Sequence, residues 1–451
     1  MGSGNTFKDF ISRYDEVHRA YWTNTLSEHN LKKWHEERLR KVLLHVNEKS
    51  AFYKDHLKDI DISNITLDSL SSLPFTTKDD LRESMLDVLS GDLADSIYYY
   101  ETTGTTGPAT PCPRDKKESY ASNKQLAMAY QAVLEKHFAG EKTILGIMGP
   151  TEVHSFGDTL GDVCSQLDVC NAKIWPHSPV IGYPKTLQLM KDLRVGIVAS
   201  APGLLLALAK EAERNGYNPR EDFSLRAFMM SGELCTPALK NNLYSLWGAE
   251  AFNSLYGSQE AMIIAATNAA DQLMPHRLNY IIEVLNPQTG ESLGATGEGE
   301  LCVTMLIDGV KPLIRYRTGD LVSIQTISGN PMAYSQVMKV VGRVKDSMAL
   351  NGRPFTAGFI EQALLEGVEK CLGYQIVLSN AGGQDTVIAK LEMSRFYDGD
   401  RSQLTLLLRE RLRERLGVEA TIMVVEDLDE HVNLGSWFSW KEARIVDQRG
   451  K

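Results

Sequence analysis

The sequence predicts an α/β protein: a large N-terminal domain with mixed or parallel sheets, helices and a small β-subdomain, followed by a small α+β C-terminal domain. Three observations carry that expectation. Over about 96–283, short apolar runs alternate with segments of helical period, the pattern of βαβ units on a parallel sheet. Between 280 and 341 the runs are separated by turn residues, as in hairpins. Beyond Gly342-Arg343 a helix, strand, strand, helix, strand pattern follows.

In chain order, 7–89 reads as helices, because Leu39, Val42, Leu43 and Val46 recur at i, i+3, i+4 and i+7 before the punctuation Leu73-Pro74-Phe75-Thr76-Thr77-Lys78. Strands are expected at 143–148, 196–199 and 227–231, and helices at 120–136, 185–193 and 237–246. The hairpin strands 281–285 and 299–305 flank the turn Asn286-Pro287-Gln288-Thr289-Gly290, with further strands at 320–325 and 338–341. The last domain reads as a helix over 356–366, strands over 374–378 and 386–393, a helix over 401–416 and a strand over 421–425. Domain limits are therefore expected at 1–342 (helical opening about 7–90, α/β core about 96–280, β-subdomain about 281–342) and 343–451.

Composition bounds the function. With 48 basic and 58 acidic residues the net charge is −10, which argues against nucleic acid bound by general charge while allowing a local pocket for one nucleotide. The basic run Arg409 to Arg415 overlies a leucine stripe, Leu404, Leu408, Leu412 and Leu416, and reads as a solvated helix face. The longest apolar run, 195–209, includes Ser200, Pro202 and Gly203 and falls short of the roughly 20 residues that span a bilayer. No membrane partner is expected, and the N-terminus lacks the zones of a secretory signal, so a cytoplasmic location is expected. The six cysteines form no C-x-x-C pair and read as reduced thiols.

Three stretches carry chemistry. Glu101-Thr102-Thr103-Gly104-Thr105-Thr106-Gly107-Pro108 combines flexible backbone, whose N–H groups can converge on an anion, with hydroxyl donors. It suits a triphosphate but is no Walker A loop, and a polar β-turn is the alternative. Tyr256-Gly257-Ser258-Gln259-Glu260 follows the strand-like 251–255 and sets Glu260 at the carboxyl end of a strand, where it could hold Mg²⁺ or cap a helix. Arg315-Tyr316-Arg317-Thr318-Gly319-Asp320 joins two cations to an aspartate suited to accept hydrogen bonds from two ribose hydroxyls; salt bridging is the plainer reading.

In order and spacing, Thr102 to Pro108, Ser231-Gly232-Glu233, Tyr256 to Glu260, Tyr316 to Asp320, Gly342-Arg343-x-Lys345-Asp346 and Lys441-Glu442-Ala443-Arg444-Ile445-Val446-Asp447 resemble the core motifs of the adenylate-forming superfamily. Leu73 to Leu81 and Pro312 to Asp320 resemble its phenylacetate–CoA ligase branch. The resemblance covers essentially the whole chain. It implies an acid–thiol ligase: a carboxylate attacks the α-phosphate of ATP to give an acyl-adenylate and pyrophosphate, then a thiol, usually of coenzyme A, displaces AMP. A carrier-protein thiol is the alternative acceptor, a nucleotide-binding pseudoenzyme the alternative class, and association as a homodimer is left open.

By the same resemblance, Thr102, Thr103, Gly104, Thr105, Thr106 and Gly107 would cradle the β- and γ-phosphates, Ser231, Gly232 and Glu233 line the adenine pocket, and Tyr256, within Tyr256-Gly257-Ser258, stack on the base. Glu260 would help bind Mg²⁺, Asp320 and Arg343 hold the ribose, Lys441 carry the first step, and Lys345 serve as the hinge of a mobile C-terminal lid. The acid pocket is expected near 149–162, where His154, Phe156, Gly157 and Gly161 would accept a flat aryl acid. Asp158 and Asp162 would favour an amino or hydroxyl substituent, or merely complement a helix N-terminus. The chain departs from the family at Pro108-Ala109, where a lysine is common and Lys116 or Lys117 could substitute, and at Gln259, Ala349 and Trp440.

Overall fold

Leu39, Val42, Leu43 and Val46 are fully buried along one face of the helix Glu28–Lys49, as their spacing requires. Ser27 caps that helix by accepting a hydrogen bond from Asn30 N. The chain is seen here as a computed structural model describing residues 3–102, 108–327, 332–346, 348–428 and 444–449. They fall into two units, one of Met1–Ala132, Thr151–Leu167 and Ser254–Val344, the other of Val133–Pro150, Asp168–Asn253 and Lys345–Lys451.

In the first unit the leucine and valine face of Glu28–Lys49 packs on an antiparallel sheet through Ile264, Ile282, Leu301 and Val303. This sheet has seven strands, in the order Leu255–Ser258, Met262–Thr267, Leu273–Pro275, Gln336–Arg343, Tyr316–Thr326, Gly297–Met305, Tyr280–Leu285. The expectation of a small β-subdomain beginning near 281 is corrected: the sheet starts at Leu255. The run 251–255 divides between two sheets. Glu250–Asn253 pairs in parallel with Ala227–Met230, whereas the Ser254 carbonyl accepts from Thr267 N at 3.0 Å and Leu255–Ser258 continues antiparallel to Met262–Thr267. Five residues, Ala251 to Leu255, are too few to carry a period that separates one strand from two.

Arg315 ties the N-terminal segment to this sheet. Its Nε and Nη2 donate to Glu283 Oε2 and Oε1, each at 3.0 Å, and Nη1 donates to the carbonyls of Ser71 (2.9 Å) and Leu73 (2.6 Å). The guanidinium lies 4.1 Å from the Phe75 ring centroid. Side-chain exposure is 4% for Arg315 and 9% for Glu283, so Arg315→Met leaves a buried carboxylate without its counter-ion. The expected loss is about 3–5 kcal/mol, read as a lower urea midpoint; a variant with an unchanged midpoint would refute the assignment.

Three imidazoles are buried in the same unit. Burial, the largest influence on each, lowers His18 and His35 to about 4 and His276 to about 3. Below the ordinary 6.5 the unfolded chain takes up protons that the folded chain refuses, so stability from these groups is complete above pH 6.5 and is lost as pH falls toward 4. For His18 alone that amounts to roughly 3 kcal/mol. Denaturation midpoints measured from pH 7 to 4.5 should fall less steeply in His276→Gln than in the wild type; parallel curves would count against buried neutral imidazole as the cause.

The second unit contains the expected parallel sheet, in the order Cys170–Lys173, Ile144–Met148, Val195–Ser200, Ala227–Met230, Glu250–Asn253. Its helices include Gly182–Asp192, Pro202–Arg214 and Pro237–Trp247, the last two opening on proline, where a missing N–H costs nothing. Residues 345–451 contribute helices Ala357–Leu365 and Arg401–Leu416 and a sheet in the order Glu419–Val425, Gln384–Met393, Cys371–Ala381, Ile445–Asp447. Leu404, Leu408, Leu412 and Leu416 are all buried, as their spacing predicts. This part is packed on Pro202–Arg214 and Pro237–Trp247 through one apolar core, in which Leu205, Leu208, Leu239 and Leu243 join Leu364, Leu378 and Leu391. No helix among the described residues is long and apolar enough to cross a membrane.

Candidate functional site

Two stretches singled out in the sequence meet as neighbouring backbone. Thr76 N donates to the Arg315 carbonyl at 3.1 Å and Arg317 N to the Thr76 carbonyl at 3.0 Å, a parallel bridge between Thr76 and Tyr316. Thr77 then caps the helix Lys78–Ser84 in a capping box with Asp80. This delivers Lys78, the first residue of the helix, to Glu260, with Nζ 2.8 Å from Oε1.

Glu260 lies in the turn between Leu255–Ser258 and Met262–Thr267 and is 5% exposed. It sits at the carboxyl end of a strand as expected, but that strand belongs to the antiparallel sheet and not to the parallel one. Burial works to raise its carboxyl; Lys78, a backbone N–H and the more distant Lys311 outweigh it and hold the group below the ordinary carboxylate range. Among the described residues no cluster of three or more His, Cys, Asp or Glu could hold a metal ion. A lone ionised carboxylate nevertheless fits Mg²⁺, which is commonly held by one or two carboxylates together with substrate phosphates. Gly257 admits no side chain, since a Cβ there would lie 2.0 Å from the Met262 carbonyl oxygen.

Asp320 and Arg343 are cross-strand partners on Tyr316–Thr326 and Gln336–Arg343, with Arg343 Nε 3.5 Å from Asp320 Oδ1. Tyr256 donates its hydroxyl to Asp320 Oδ2 at 2.7 Å. Burial, then the Asp320 charge, keeps that phenol protonated, well above its usual range. Hydroxyl and guanidinium thus each face one oxygen of the Asp320 carboxylate. The other cations of this stretch brace the fold: Arg315 pairs with Glu283 and Arg317 with Glu300.

Gln259, where the family commonly has Thr or Ser, links two parts of the site. Its Oε1 accepts from Ser155 Oγ at 2.6 Å and its Nε2 donates to the Glu101 carbonyl at 3.4 Å, at the start of the threonine-rich stretch. Thr102 Oγ1 accepts from Thr110 N at 2.9 Å; Thr103, Gly104, Thr105, Thr106 and Gly107 lie outside the described residues. The expectation that Lys116 or Lys117 replaces the missing lysine is not supported by their contacts. Lys117 is bound to the Asp308 carbonyl and carboxylate at 2.6 and 3.1 Å, and Lys116 lies 4.7 Å from the Phe7 ring centroid.

Ser155 begins the helix Ser155–Gln166, capped by His154, whose Nδ1 accepts from Phe156 N. Phe156 and Gly157 are buried, and a Cβ on Gly157 would lie 2.6 Å from Thr151 Cγ2. Gly161 falls between Asp158 and Asp162 on this helix. Tyr100 donates to Asp158 Oδ2 at 3.1 Å; Tyr98 lies 3.3 Å from both oxygens of Asp162, which also accepts from Asn123 Nδ2 at 3.2 Å. The Tyr98 and Tyr100 rings stack at 5.5 Å.

In the second unit, Ser231-Gly232-Glu233 leaves the strand Ala227–Met230, with Ser231 N bonded to the Ser200 carbonyl and Gly232 at φ +87°. The Glu233 carboxylate accepts from Gly203 N at 3.1 Å and lies 3.4 Å from Arg444 Nη1. Lys345 is exposed in the turn Val344–Asp346; Lys441 lies outside the described residues. Sequence reasoning assigned no role to Lys78 or Arg444, although both stand inside stretches it singled out.

A family model described as AMP-binding enzyme matches residues 32–305, more than half of the chain. The chain belongs to this family. This AMP-binding enzyme is similar to phenylacetate-coenzyme A ligases: that of Aromatoleum evansii is 25% identical over 437 residues, covering 92% of this chain and 94% of the relative. That of Thermus thermophilus is 26% identical over 391 residues, covering 82% and 83%. The fold is that of a 2-hydroxyisobutyryl-CoA ligase solved with 2-HIB-AMP, at TM-score 0.76 and 18% identity over 91% of this chain and 88% of that one. The chain is thus an AMP-binding enzyme whose sequence is similar over most of its length to phenylacetate-coenzyme A ligases.

Proposed function

We propose that this enzyme uses ATP and Mg²⁺ to activate an aromatic carboxylic acid, aryl or arylacetic, and passes the acyl group to coenzyme A. The observation that carries the nucleotide half is the Tyr256–Asp320–Arg343 group beside Glu260. Asp320 would exchange its Tyr256 and Arg343 contacts for ribose hydroxyls, freeing the Tyr256 ring to lie against the base. Glu260 would hold Mg²⁺, which supplies positive charge to the phosphates, and Lys78 would be released from its ion pair. Ser231, Gly232 and Glu233 would border the adenine, and the threonine-rich stretch from Thr102 the outer phosphates. Attack of the acid carboxylate on the α-phosphate builds charge that Lys441 would offset. Rotation of 343–451 about Lys345 would then withdraw Lys441 and admit the thiol.

The aromatic acid is favoured by similarity to phenylacetate-coenzyme A ligases and by the Phe156 helix beside the stacked Tyr98 and Tyr100. Asp158 and Asp162, holding tyrosine hydroxyls, favour an amino or hydroxyl group on the ring. Acid-dependent exchange of labelled pyrophosphate into ATP, over benzoates, aminobenzoates, hydroxybenzoates and phenylacetates, should light up for ring-substituted aryl acids; silence across the panel would overturn the reading. Thioester detected by mass spectrometry with coenzyme A, and not with a carrier protein, would complete it.

A further inference from the structure

We propose that Arg114 and Lys311 hold one small monovalent anion, a halide ion such as chloride, in a chamber beside Glu260. Arg114 is 5% exposed, and its Nε has no hydrogen-bond partner. Among the described residues its guanidinium makes no ion pair; the contact it has is with the Tyr100 ring, 5.2 Å from the centroid. Burying an ion costs several kcal/mol, whereas a cation–π contact returns about 0.5–2 kcal/mol. The balance calls for an anion. Lys311 is 3% exposed; its Nζ donates to the Pro111 carbonyl at 2.7 Å and lies 3.4 Å from Cys112 Sγ, which leaves an N–H over. Both cations line one chamber, together with Cys112, Glu118, Gln259 and Glu260. Its volume of about 10 Å³ takes a single group the size of a water molecule, so a carboxylate, sulfate or phosphate is too large and a monatomic ion remains.

The charge of the wall decides the sign of the occupant. Each of its two acids has donors of its own: Glu260 is paired with Lys78, and Glu118 accepts from Asp115 N at 2.9 Å and Lys311 N at 3.0 Å. Burial, then Asp115, pushes the Glu118 carboxyl up, which thins its negative charge. Burial likewise keeps the Cys112 thiol neutral. Arg114 and Lys311 therefore face at most the Glu118 charge, an excess that one monoanion neutralises and a metal cation would worsen. The wall is also fixed in place. Lys117 Nζ donates to the Asp308 carbonyl at 2.6 Å, and a Cβ on Gly309 would lie 2.1 Å from Glu118 Cδ, so the segment carrying Lys311 is packed hard on the helix Lys116–Phe138. All these residues belong to the first unit, and the binding does not depend on which acid the enzyme activates.

Bromide, which scatters anomalously, is the probe. Crystals of the whole chain grown in sodium bromide should show an anomalous difference peak in contact with Arg114 Nε and Lys311 Nζ. Density there without anomalous signal would be water and would overturn the proposal. The solution test compares thermal midpoints of the wild type and Arg114→Met as chloride replaces gluconate at constant ionic strength. Because a ligand that binds only the folded chain stabilises it by mass action, the midpoint of the wild type should gain roughly 1–3 °C on that of the variant. Lys311→Met, which keeps Arg114, should lose most of the same gain, so the test does not hang on one variant's folding. Chloride responses equal in wild type and variants would mark any bromide peak as an adventitious ion only and overturn the site.

Discussion

Replacing Lys441 by alanine is expected to lower acid-dependent pyrophosphate exchange by roughly 10²–10³-fold while ATP affinity changes less than about threefold. The carboxylate attacking the α-phosphate is itself anionic, so the transition state gathers charge on the bridging and equatorial oxygens, and one aligned cation in a water-poor site is worth far more there than in solvent. Thioester formation from supplied acyl-adenylate breaks the acyl C–O bond and involves no attack at phosphorus, so it should persist. Nucleotide affinity by calorimetry and exchange by radiolabel separate the two effects; exchange at the wild-type rate would remove Lys441 from the chemistry.

Glu260→Gln is expected to have the second largest effect, on the order of 10²-fold on adenylation with a higher Mg²⁺ concentration for half-maximal rate. The glutamine retains volume and an oxygen but loses the charge that holds Lys78 and would hold Mg²⁺. Because Lys78 is 45% exposed, its ammonium can turn to water once the partner is neutral. Thermal stability should therefore change by no more than about 1–2 kcal/mol. An unaltered Mg²⁺ dependence would show that Glu260 does not serve the metal.

Much of this was legible before folding. The spacing of Leu39, Val42, Leu43 and Val46, and of the four leucines from Leu404 to Leu416, named buried helix faces correctly, because helical period is a local property. Three strands of the parallel sheet, Ile144–Met148, Val195–Ser200 and Ala227–Met230, were legible as short apolar runs between helical segments, whereas Cys170–Lys173 was not. The division of 251–255 between two sheets was not, since both strands are only four residues long and their partners alone distinguish them. The short strand Ile445–Asp447 was also missed: three residues carry no period, and pairing with Cys371–Ala381 makes the strand.

For the site, residue types and their order pointed to nucleotide chemistry at Glu260 and Asp320. Which cation serves which acid was decided in space. Lys78 is far from Glu260 in sequence and reaches it because Thr76 pairs beside Tyr316. Lys117, near the threonine-rich stretch in sequence, is committed to Asp308. The sequence by itself determined the helix faces, three of the parallel strands and the chemical inventory, all set by neighbours a few residues away. Tertiary structure alone decided the ion pairs Lys78–Glu260, Arg343–Asp320 and Arg444–Glu233, because a charge finds its partner by distance and burial, and neither is written in local order.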